Sequence, residues 1–443
     1  MLQESADLLI NARWIIPVIP ENAVFSDCSV AVRDGLIVAI CPRGEAQRRF
    51  KARETLELDN HALLPGLVNA HSHAAMTLFR GYADDLDLHS WLNDHIWPAE
   101  GRWVSEDFVR DGSELAIAEM LRGGTTTFAD MYFFPEQVAL AAHTHGMRCQ
   151  VGFPVMNFAT AWARDGDECI HKGLALRDDY KGHGLVNIAF APHAPYTVDD
   201  RLFEKVAMYA NELDTPIHIH LHESRAEVAD AVRDTGRRPI ARLRDLGILS
   251  ANTQCVHMVV VDDEDIALLV DSKAHAVHCP KSNMKLGNGA SPVQRMLNDG
   301  VNVALGTDGA ASNNSLDMFS EMQFASLLAK NAGADPTALD VHQTLRMATI
   351  NGARALGMES RIGSIEPGKA ADLTAVDLGG IGQQPLYNPA SQLVYSASAT
   401  NVSHVWVAGK KLLDSGVLTG FHLPDLIAKA QQWQRKIARQ PAP

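Results

Sequence analysis

The chain has 443 residues, of which 46% are hydrophobic and 21% are charged, a composition that supplies a large buried core and excludes a mostly disordered chain. Thirty-nine Lys and Arg residues against 53 Asp and Glu residues give a formal net charge of −14, which excludes a general basic surface for nucleic acid and disfavours polyanionic substrates. The length exceeds that of most single domains, so it predicts one large domain with a smaller accessory domain.

Cysteine usage and hydropathy predict a cytoplasmic protein. The six cysteines are far apart in the sequence and form no CxxC pair, which argues against a disulfide framework and indicates free thiols in a reducing compartment. The first residues lack the basic segment and apolar core of a signal peptide. No apolar run reaches the roughly 18 residues that a membrane span needs.

Short β-rich runs at both ends of the chain predict one small β-sandwich domain. Near the start these runs are residues 14–19, 29–32 and 36–40, and near the end they are residues 372–376 and 402–407. We place residues 1–62 and 364–443 in this domain, including a C-terminal surface helix that frays at residues 440–443. Residues 63–363 form a second domain that is inserted between the two ends.

The inserted domain alternates apolar strand-like runs with helical segments. The candidate strands are residues 63–70, 125–130, 148–153, 186–191, 216–222, 253–256, 276–279 and 301–307, and the helical segments include 113–122, 135–145, 201–212 and 226–234. Eight strands that alternate with helices are the pattern of an α/β fold, the (β/α)8 TIM-like barrel. An open doubly wound sheet is the alternative, because periodicity does not show whether the sheet closes.

Histidines cluster at the ends of these candidate strands, where barrel active sites lie. His71 and His73 close the first strand and, two residues apart on an extended chain, point to the same side. Another strand ends in His218-Ile219-His220-Leu221-His222-Glu223, so its three alternating histidines are expected to share one face. A solvated polar strand edge is the alternative, but the run lies in an apolar barrel strand, where buried polar groups need partners.

Two further candidates directly follow strands. His257 follows residues 253–256, and Asp308 follows residues 301–307. Taken alone, His257 is equally well explained as a structural histidine. Taken together, three histidines and one aspartate form a set of metal ligands that leaves room for a water molecule. Glu223 and His257 would then be free for proton transfer.

These motifs, in their order along the chain, resemble the amidohydrolase superfamily. The matching segments are residues 65–73, 220–223, 257, 278–283, 306–308, 363–372 and 405–410. They extend over nearly the whole chain and are most similar to the family of 5′-methylthioadenosine/S-adenosylhomocysteine deaminases. Guanine deaminases and triazine hydrolases are similar in the same motifs and are the alternatives.

The resemblance implies one divalent metal ion, usually zinc, held by His71, His73, His220 and Asp308. The choice of His220 among the three alternating histidines follows the family register. No lysine stands at an obvious bridging position, which disfavours a two-metal site. Histidine nitrogens with one carboxylate oxygen also suit Fe²⁺, Mn²⁺ or Co²⁺.

The resemblance also implies the reaction, which is hydrolytic deamination of an adenosine-like nucleoside at purine C6. A metal-activated water would attack C6, and ammonia would leave. Asp308 would receive the first proton, His257 would orient the nucleophile, and Glu223 would protonate N1 of the purine. Relatives are often dimers or tetramers, which implies a homo-oligomer.

Substrate-binding residues are implied by the same likeness. Residues 91–100 are expected to form a long loop that carries Trp97, which could wall the pocket, and Glu100, which would accept hydrogen bonds from both ribose hydroxyls. His193 would contact the purine or the ribose. The acids that move protons, Glu223 and Asp308, would also touch the substrate.

The identity of the nucleoside depends on an apolar run. Residues 153–158 are apolar where an arginine would be expected to bind the amino-acid carboxylate of S-adenosylhomocysteine, and Arg164 is the nearest alternative. The run favours 5′-methylthioadenosine, then S-adenosylhomocysteine or adenosine. The rival hypotheses are a guanine deaminase, a triazine chlorohydrolase or aminohydrolase, a hydantoinase-like amidase, and a non-enzymatic scaffold. A scaffold would have lost its ligands, whereas here the set is intact.

Overall fold

The described residues, 3–439 of a computed structural model, form sixteen strands in two eight-stranded sheets. In chain order the strands are β1 (Glu4–Ile15), β2 (Phe25–Arg33), β3 (Leu36–Pro42), β4 (Phe50–Pro65), β5 (Leu67–Ser72), β6 (Thr125–Met131), β7 (Arg148–Val155), β8 (Val186–Pro192), β9 (Ile217–Leu221), β10 (Thr253–His257), β11 (His275–His278), β12 (Val303–Leu305), β13 (Leu373–Asp377), β14 (Val402–Val407), β15 (Lys410–Asp414) and β16 (Val417–Leu418). The middle of the chain supplies one sheet, and the two ends supply the other.

Strands β5–β12 run parallel and lie side by side in chain order, as a (β/α)8 barrel requires. The first and last of them come together at their carboxyl ends. There the amide of Asp308 donates to the carbonyl of His71 (3.0 Å), and the amide of Thr307 donates to Asn69 Oδ1 (2.9 Å). The predicted barrel fold is confirmed.

Helices follow the barrel strands, as their alternation predicts. The helices are α1 (Arg43–Arg49), α2 (Leu88–Ser90), α3 (Trp97–Trp103), α4 (Glu106–Arg122), α5 (Pro135–His145), α6 (Gly166–Asp179), α7 (Asp200–Leu213), α8 (Arg225–Thr235), α9 (Pro239–Asp245), α10 (Asp263–Ser272), α11 (Pro280–Lys285), α12 (Val293–Asn298), α13 (Ala310–Asn313), α14 (Met318–Gly333), α15 (Val341–Met347), α16 (Ile350–Ala355), α17 (Pro389–Tyr395) and α18 (Leu423–Ala438). Helix α4 begins earlier than predicted because Ser105 caps it by accepting the amide of Phe108. Within residues 3–439, no helix is both long and apolar enough to cross a bilayer.

The two chain ends together form the second sheet, in the order β16-β15-β14-β13-β4-β1-β2-β3. Neighbouring residues of β1 alternate between its faces, since Leu8 and Ile10 pack in one apolar cluster and Leu9 packs in another. Strand β1 begins earlier and ends earlier than predicted. The chain leaves the sheet at Pro17, which has no amide hydrogen to donate, and at Val18, whose φ is +70°. The C-terminal helix is present as α18, whereas residues 440–443 lie outside the described residues.

The predicted strand at residues 63–70 is in fact two strands. Residues 63–65 belong to β4, where Leu63 pairs with Ala375 of the terminal sheet, and β5 begins the barrel after Gly66. A Cβ on Gly66 would lie 2.1 Å from Thr126 Oγ1, so only glycine fits at this change of sheet. Apolar character continues across the break, which is why the sequence does not show it. The division into residues 1–62 with 364–443 and residues 63–363 stays a prediction.

Gly306 allows the last barrel strand to lie against the first. A Cβ at this position would lie 2.8 Å from both the amide nitrogen and the Cβ of His71. We therefore expect Gly306→Ala to destabilise the protein by about 1–3 kcal/mol, since the neighbour is backbone and must move. Thermal unfolding would measure this effect, with Gly44→Ala as the control because its Cβ would meet nothing closer than 3.8 Å. Equal stability of both variants would contradict the prediction.

Candidate active site

Five side chains meet at the carboxyl end of the barrel. His71 lies near the end of β5 and His73 directly follows this strand, whereas His220 lies in β9, His257 ends β10, and Asp308 follows β12. The His71 ring lies 4.8, 5.0 and 5.9 Å, centroid to centroid, from the rings of His73, His220 and His257. Possible ligand atoms lie within 4.8 Å of one another in two overlapping sets, His71-His220-His257 and His71-His73-Asp308. The barrel thus brings together residues that are far apart in the sequence; His71 and Asp308 are separated by 237 positions.

Backbone carbonyls hold two of these imidazoles in the tautomer that suits a metal ligand. His73 Nδ1 lies 2.5 Å from the carbonyl oxygen of Met131, and His220 Nδ1 lies 2.8 Å from that of His193. Because a carbonyl oxygen only accepts, each Nδ1 carries a hydrogen, which leaves Nε2 as the nitrogen that a metal ion would bind. His73 Nε2 is 3.3 Å from Asp308 Oδ1, so this nitrogen faces the cluster.

The cluster fits a divalent metal ion. His71 Nε2 is buried and makes no hydrogen bond, although it lies 3.3 Å from Asp308 Oδ1. Such an unpartnered buried nitrogen calls for a group that the polypeptide itself does not supply. Imidazole nitrogens with one carboxylate oxygen are donors that zinc and similar divalent ions accept.

Two serine hydroxyls orient Asp308. Its Oδ2 accepts hydrogen bonds from Ser282 (2.6 Å) and Ser312 (2.7 Å), and its Oδ1 accepts one from the amide of Gly309 (2.7 Å). Burial acts to raise the pKa of Asp308, but contacts with the two histidines at the end of β5 outweigh it and hold the pKa well below its ordinary value. The carboxylate is therefore ionised.

Glu223 and His257 form a second pair beside this cluster. Glu223 Oε2 lies 3.7 Å from His257 Nε2, and Glu223 Oε1 accepts a hydrogen bond from Asn288 (3.1 Å). His257 Nδ1 lies 2.9 Å from Asn283 Oδ1, which leaves Nε2 on the side of Glu223. Burial raises the pKa of Glu223 to about 7, with His257 opposing it. The carboxyl group can therefore hold and release a proton near neutral pH.

The three alternating histidines do not share one face, contrary to the prediction. His220 joins the cluster, and His218 Nε2 contacts His71 Nδ1 (2.7 Å) from below it. His222 lies just beyond β9 with a φ of +53°, and there its Nδ1 donates to the carbonyl of Val260 (3.0 Å). The positive φ ends the two-residue alternation, so the third ring turns away from the barrel axis.

A cavity of about 190 Å³ opens above the cluster. Its lining includes His73, His220, Glu223, His257 and Asp308 at one end. The remaining predicted substrate-binding residues also line it: Glu100, His193 and Trp97. The site residues predicted from the sequence thus lie in and around one cavity, with His71 buried beneath it.

The segment that carries Glu100 is helical, whereas a long loop was predicted. It consists of a π-helical turn at Trp91–Ile96 followed by α3. Asp87 starts the helical run by accepting the amides of His89 and Ser90. Glu100 Oε1 accepts a hydrogen bond from the hydroxyl of Tyr132 (2.7 Å), and burial raises the pKa of Glu100 to about 7.

The apolar run at residues 153–158 contributes to the cavity wall through Pro154, Met156 and Phe158. Arg164 is not among the described lining residues; its side chain is 80% exposed and lies near Asp165 and Glu168. Within residues 3–439, the lining of this cavity contains no lysine or arginine. The structure therefore gives Arg164 no contact with the pocket.

Several residues that orient the site were not identified from the sequence. Tyr132 lies one residue beyond β6, so the strand-end rule could have identified it. Ser282 and Asn283 lie in a motif that matches the superfamily. Asn288 comes from the segment between α11 and α12, and no local signal marks it.

Comparison with known proteins gives a consistent result. Residues 62–412 match the Amidohydrolase family. The chain is 52% identical to a 5-methylthioadenosine/S-adenosylhomocysteine deaminase of Teredinibacter turnerae over 97% of this chain and 98% of that protein. It is 49% identical to a protein of the same name from Saccharophagus degradans over 99% of this chain and 98% of that protein.

A solved structure shares the whole architecture. It is an adenosine deaminase from Xanthomonas campestris with bound zinc, 47% identical in sequence and with a TM-score of 0.98. The alignment covers 99% of this chain and all of the other. The predicted likeness to the amidohydrolase superfamily, and within it to these deaminases, is confirmed.

Proposed function

The chain belongs to the Amidohydrolase family, whose members are metal-dependent, and is a hydrolase of carbon–nitrogen bonds in cyclic amidines; from this premise we propose that it deaminates 5′-methylthioadenosine at purine C6 and releases ammonia. The observation that carries the proposal is that Glu223, Asp308 and Glu100 all line one cavity. Two of these acids can serve proton transfer at the base, and the third can bind the sugar.

Zinc is the metal that we propose for the cluster, with His71, His73, His220 and Asp308 as its ligands. The donor atoms suit it, and the related adenosine deaminase from Xanthomonas campestris contains zinc. When bound, such an ion lowers the pKa of a water molecule from about 15.7 toward about 7 and so supplies a nucleophile.

The residues of the chain then move the protons. Asp308 is ionised, so it can receive one proton from the attacking water and pass it to the amino group, which leaves as ammonia; the second water proton returns to Glu223 when the carbonyl at C6 forms. Glu223, whose pKa burial raises to about 7, holds a proton for N1 of the purine, which makes C6 more electrophilic. His257 Nε2 faces Glu223 and orients the water. Each group is held on a strand end or by a neighbour, which keeps the reacting atoms in place.

Glu100 is our proposed ligand of the two ribose hydroxyls. The Tyr132 hydroxyl donates to one carboxylate oxygen of Glu100 (2.7 Å), and Glu100 lines the cavity, where a carboxylate can accept hydrogen bonds from hydroxyl groups. His193 Nδ1 is 3.0 Å from Thr197 Oγ1, and its ring lies 5.0 Å from the ring of His220. We assign it a contact with the purine or ribose, and Trp97 an apolar contact.

The apolar wall favours a methylthio group at the 5′ position. Met156 and Phe158 can contact a thioether favourably. The described residues that line this cavity include no lysine or arginine for the amino-acid carboxylate of S-adenosylhomocysteine. A carboxylate would have to extend into the adjoining cavity, which shares Trp97 and Tyr196 with this one and is lined by Arg225, Arg237 and Arg242.

The test is ammonia release, with the change in purine absorbance, from 5′-methylthioadenosine, S-adenosylhomocysteine, adenosine and guanine at equal concentrations. We expect 5′-methylthioadenosine to give the highest kcat/KM. Equal or faster turnover of S-adenosylhomocysteine would overturn the argument from the apolar wall. Turnover of guanine without turnover of any of the three adenosine compounds would overturn the proposed reaction.

A further inference from the structure

A row of buried polar side chains crosses the barrel interior below His71. His218 Nε2 lies 2.7 Å from His71 Nδ1, and His218 Nδ1 lies 2.5 Å from Gln254 Oε1. Gln254 Nε2 in turn donates to the carbonyl of Ala355 (2.8 Å). His71, His218 and Gln254 are each at most 1% exposed. The proposed chemistry uses neither His218 nor Gln254, yet the row ends on a proposed metal ligand.

The direction of each hydrogen bond follows from the carbonyl at the far end. Because the Ala355 carbonyl only accepts, the amide nitrogen of Gln254 faces it, and the amide oxygen faces His218. Gln150 Nε2 donates to that same oxygen (2.8 Å), which supports this orientation. An amide oxygen also only accepts, so His218 must carry its hydrogen on Nδ1.

The tautomer of His218 determines which nitrogen of His71 carries a hydrogen. The hydrogen-bond partners that the structure gives His218 include no carboxylate, so a charge on this buried ring would be uncompensated and the neutral ring is favoured. A neutral ring with its hydrogen on Nδ1 has a lone pair on Nε2, which accepts from His71 Nδ1. His71 therefore has its own lone pair on Nε2, the atom that is buried at the cluster without a hydrogen-bond partner.

His71 differs in this respect from the other two histidines of the cluster. Backbone carbonyls set the tautomers of His73 and His220, and these carbonyls are present whatever the side chains are. The partner of His71 Nδ1 is instead the side chain of His218, which a substitution can remove. The alternative tautomer would place a hydrogen on Nε2 and block coordination.

We propose that His218, itself oriented by Gln254, is a positioning residue that holds His71 in its metal-binding tautomer. This inference rests on the metal assignment in the proposed function. Gln150 is not required, because it only adds a second donor to an oxygen that Ala355 already orients through the amide. Loss of the acceptor at His218 weakens metal binding even where the barrel remains folded.

The experiment measures the zinc dissociation constant of the metal-free, full-length protein by competition with a chromogenic chelator. Two variants of one residue separate the two hydrogen bonds of His218. His218→Gln can place an oxygen near the original Nε2, whereas His218→Asn reaches only to the original Nδ1 and leaves His71 without an acceptor. Thermal unfolding of the metal-free variants records any purely structural damage.

A second pair makes the same side-chain change at two neighbouring buried glutamines. Gln254→Met removes the acceptor that orients His218, and Gln150→Met removes only the additional donor. This pair tests the inference even if His218→Asn does not fold. We expect His218→Asn and Gln254→Met to weaken zinc binding about ten- to a hundredfold, and His218→Gln and Gln150→Met to change it by less than about threefold.

The outcomes separate this inference from the proposed function. Equal zinc affinity of wild type, His218→Asn and Gln254→Met would overturn the role of His218. Equal weakening by Gln254→Met and Gln150→Met, in proportion to their loss of metal-free stability, would also overturn it. A wild-type protein that binds no zinc would overturn the metal assignment itself, and the inference with it.

Discussion

Glu223→Gln is expected to lower kcat by about 10²- to 10⁴-fold while the protein keeps its metal. Gln has nearly the shape of Glu and can still accept the hydrogen bond from Asn288 (3.1 Å), so the cavity is preserved. The Gln amide is not acidic, so it cannot give a proton to N1 of the purine. Proton transfer is therefore lost while binding remains.

The measurement is single-turnover deamination of 5′-methylthioadenosine, together with metal content by elemental analysis. Glu204→Gln is the matched control, since Glu204 is exposed on α7 and away from the cavity. We expect it to keep wild-type activity. Full activity of Glu223→Gln with its metal in place would contradict the proton-transfer role. Loss of metal from this variant would show that the substitution acts on the cluster instead.

Arg148→Met is expected to lower the free energy of unfolding by about 3–5 kcal/mol. Arg148 begins β7, and its guanidinium binds Asp372, just before β13, through two hydrogen bonds of 2.8 and 3.1 Å. Both side chains are only 2% exposed. Without Arg148, the Asp372 carboxylate would remain buried, and within residues 3–439 the structure gives it one other hydrogen bond, from the amide of Ala408 (2.7 Å).

Urea unfolding at neutral pH measures this loss. Arg13→Met is the control, because Arg13 pairs with Asp27 at the surface, where the two side chains are 47% and 58% exposed. Water already solvates that pair, so its loss is expected to cost about 0–1 kcal/mol. Similar losses of unfolding free energy in the two variants would show that burial does not make the Arg148–Asp372 pair more important for stability than a surface pair. The result also tests how firmly the barrel is joined to the terminal sheet.

Much of the site could be predicted because barrel architecture converts sequence position into spatial position. Each polar residue at the end of an apolar strand lies at one rim, so the histidines at 71, 73 and 220 and Asp308 could be grouped without a structure. The three histidines at 218, 220 and 222 were predicted from their spacing of two to share one face, which holds for His218 and His220 and fails at His222. Their roles as metal ligands stay a prediction.

The sequence by itself determined the alternation of strands and helices that predicts a barrel, and the candidate site residues that follow its strands. These features are local, because they depend on the period of apolar residues and on which side chain follows each strand. The resemblance to the deaminases is also carried by short motifs, each of which can be recognised without its neighbours.

Only the tertiary structure decided the features that depend on contacts between distant segments. The break at Gly66 depends on Thr126, the lining of the cavity depends on segments that follow several different strands, and the tautomer of His71 depends on Gln254. Packing and hydrogen-bond direction between residues far apart in sequence leave no periodic signal in either segment. These contacts appear only when the barrel brings the segments together.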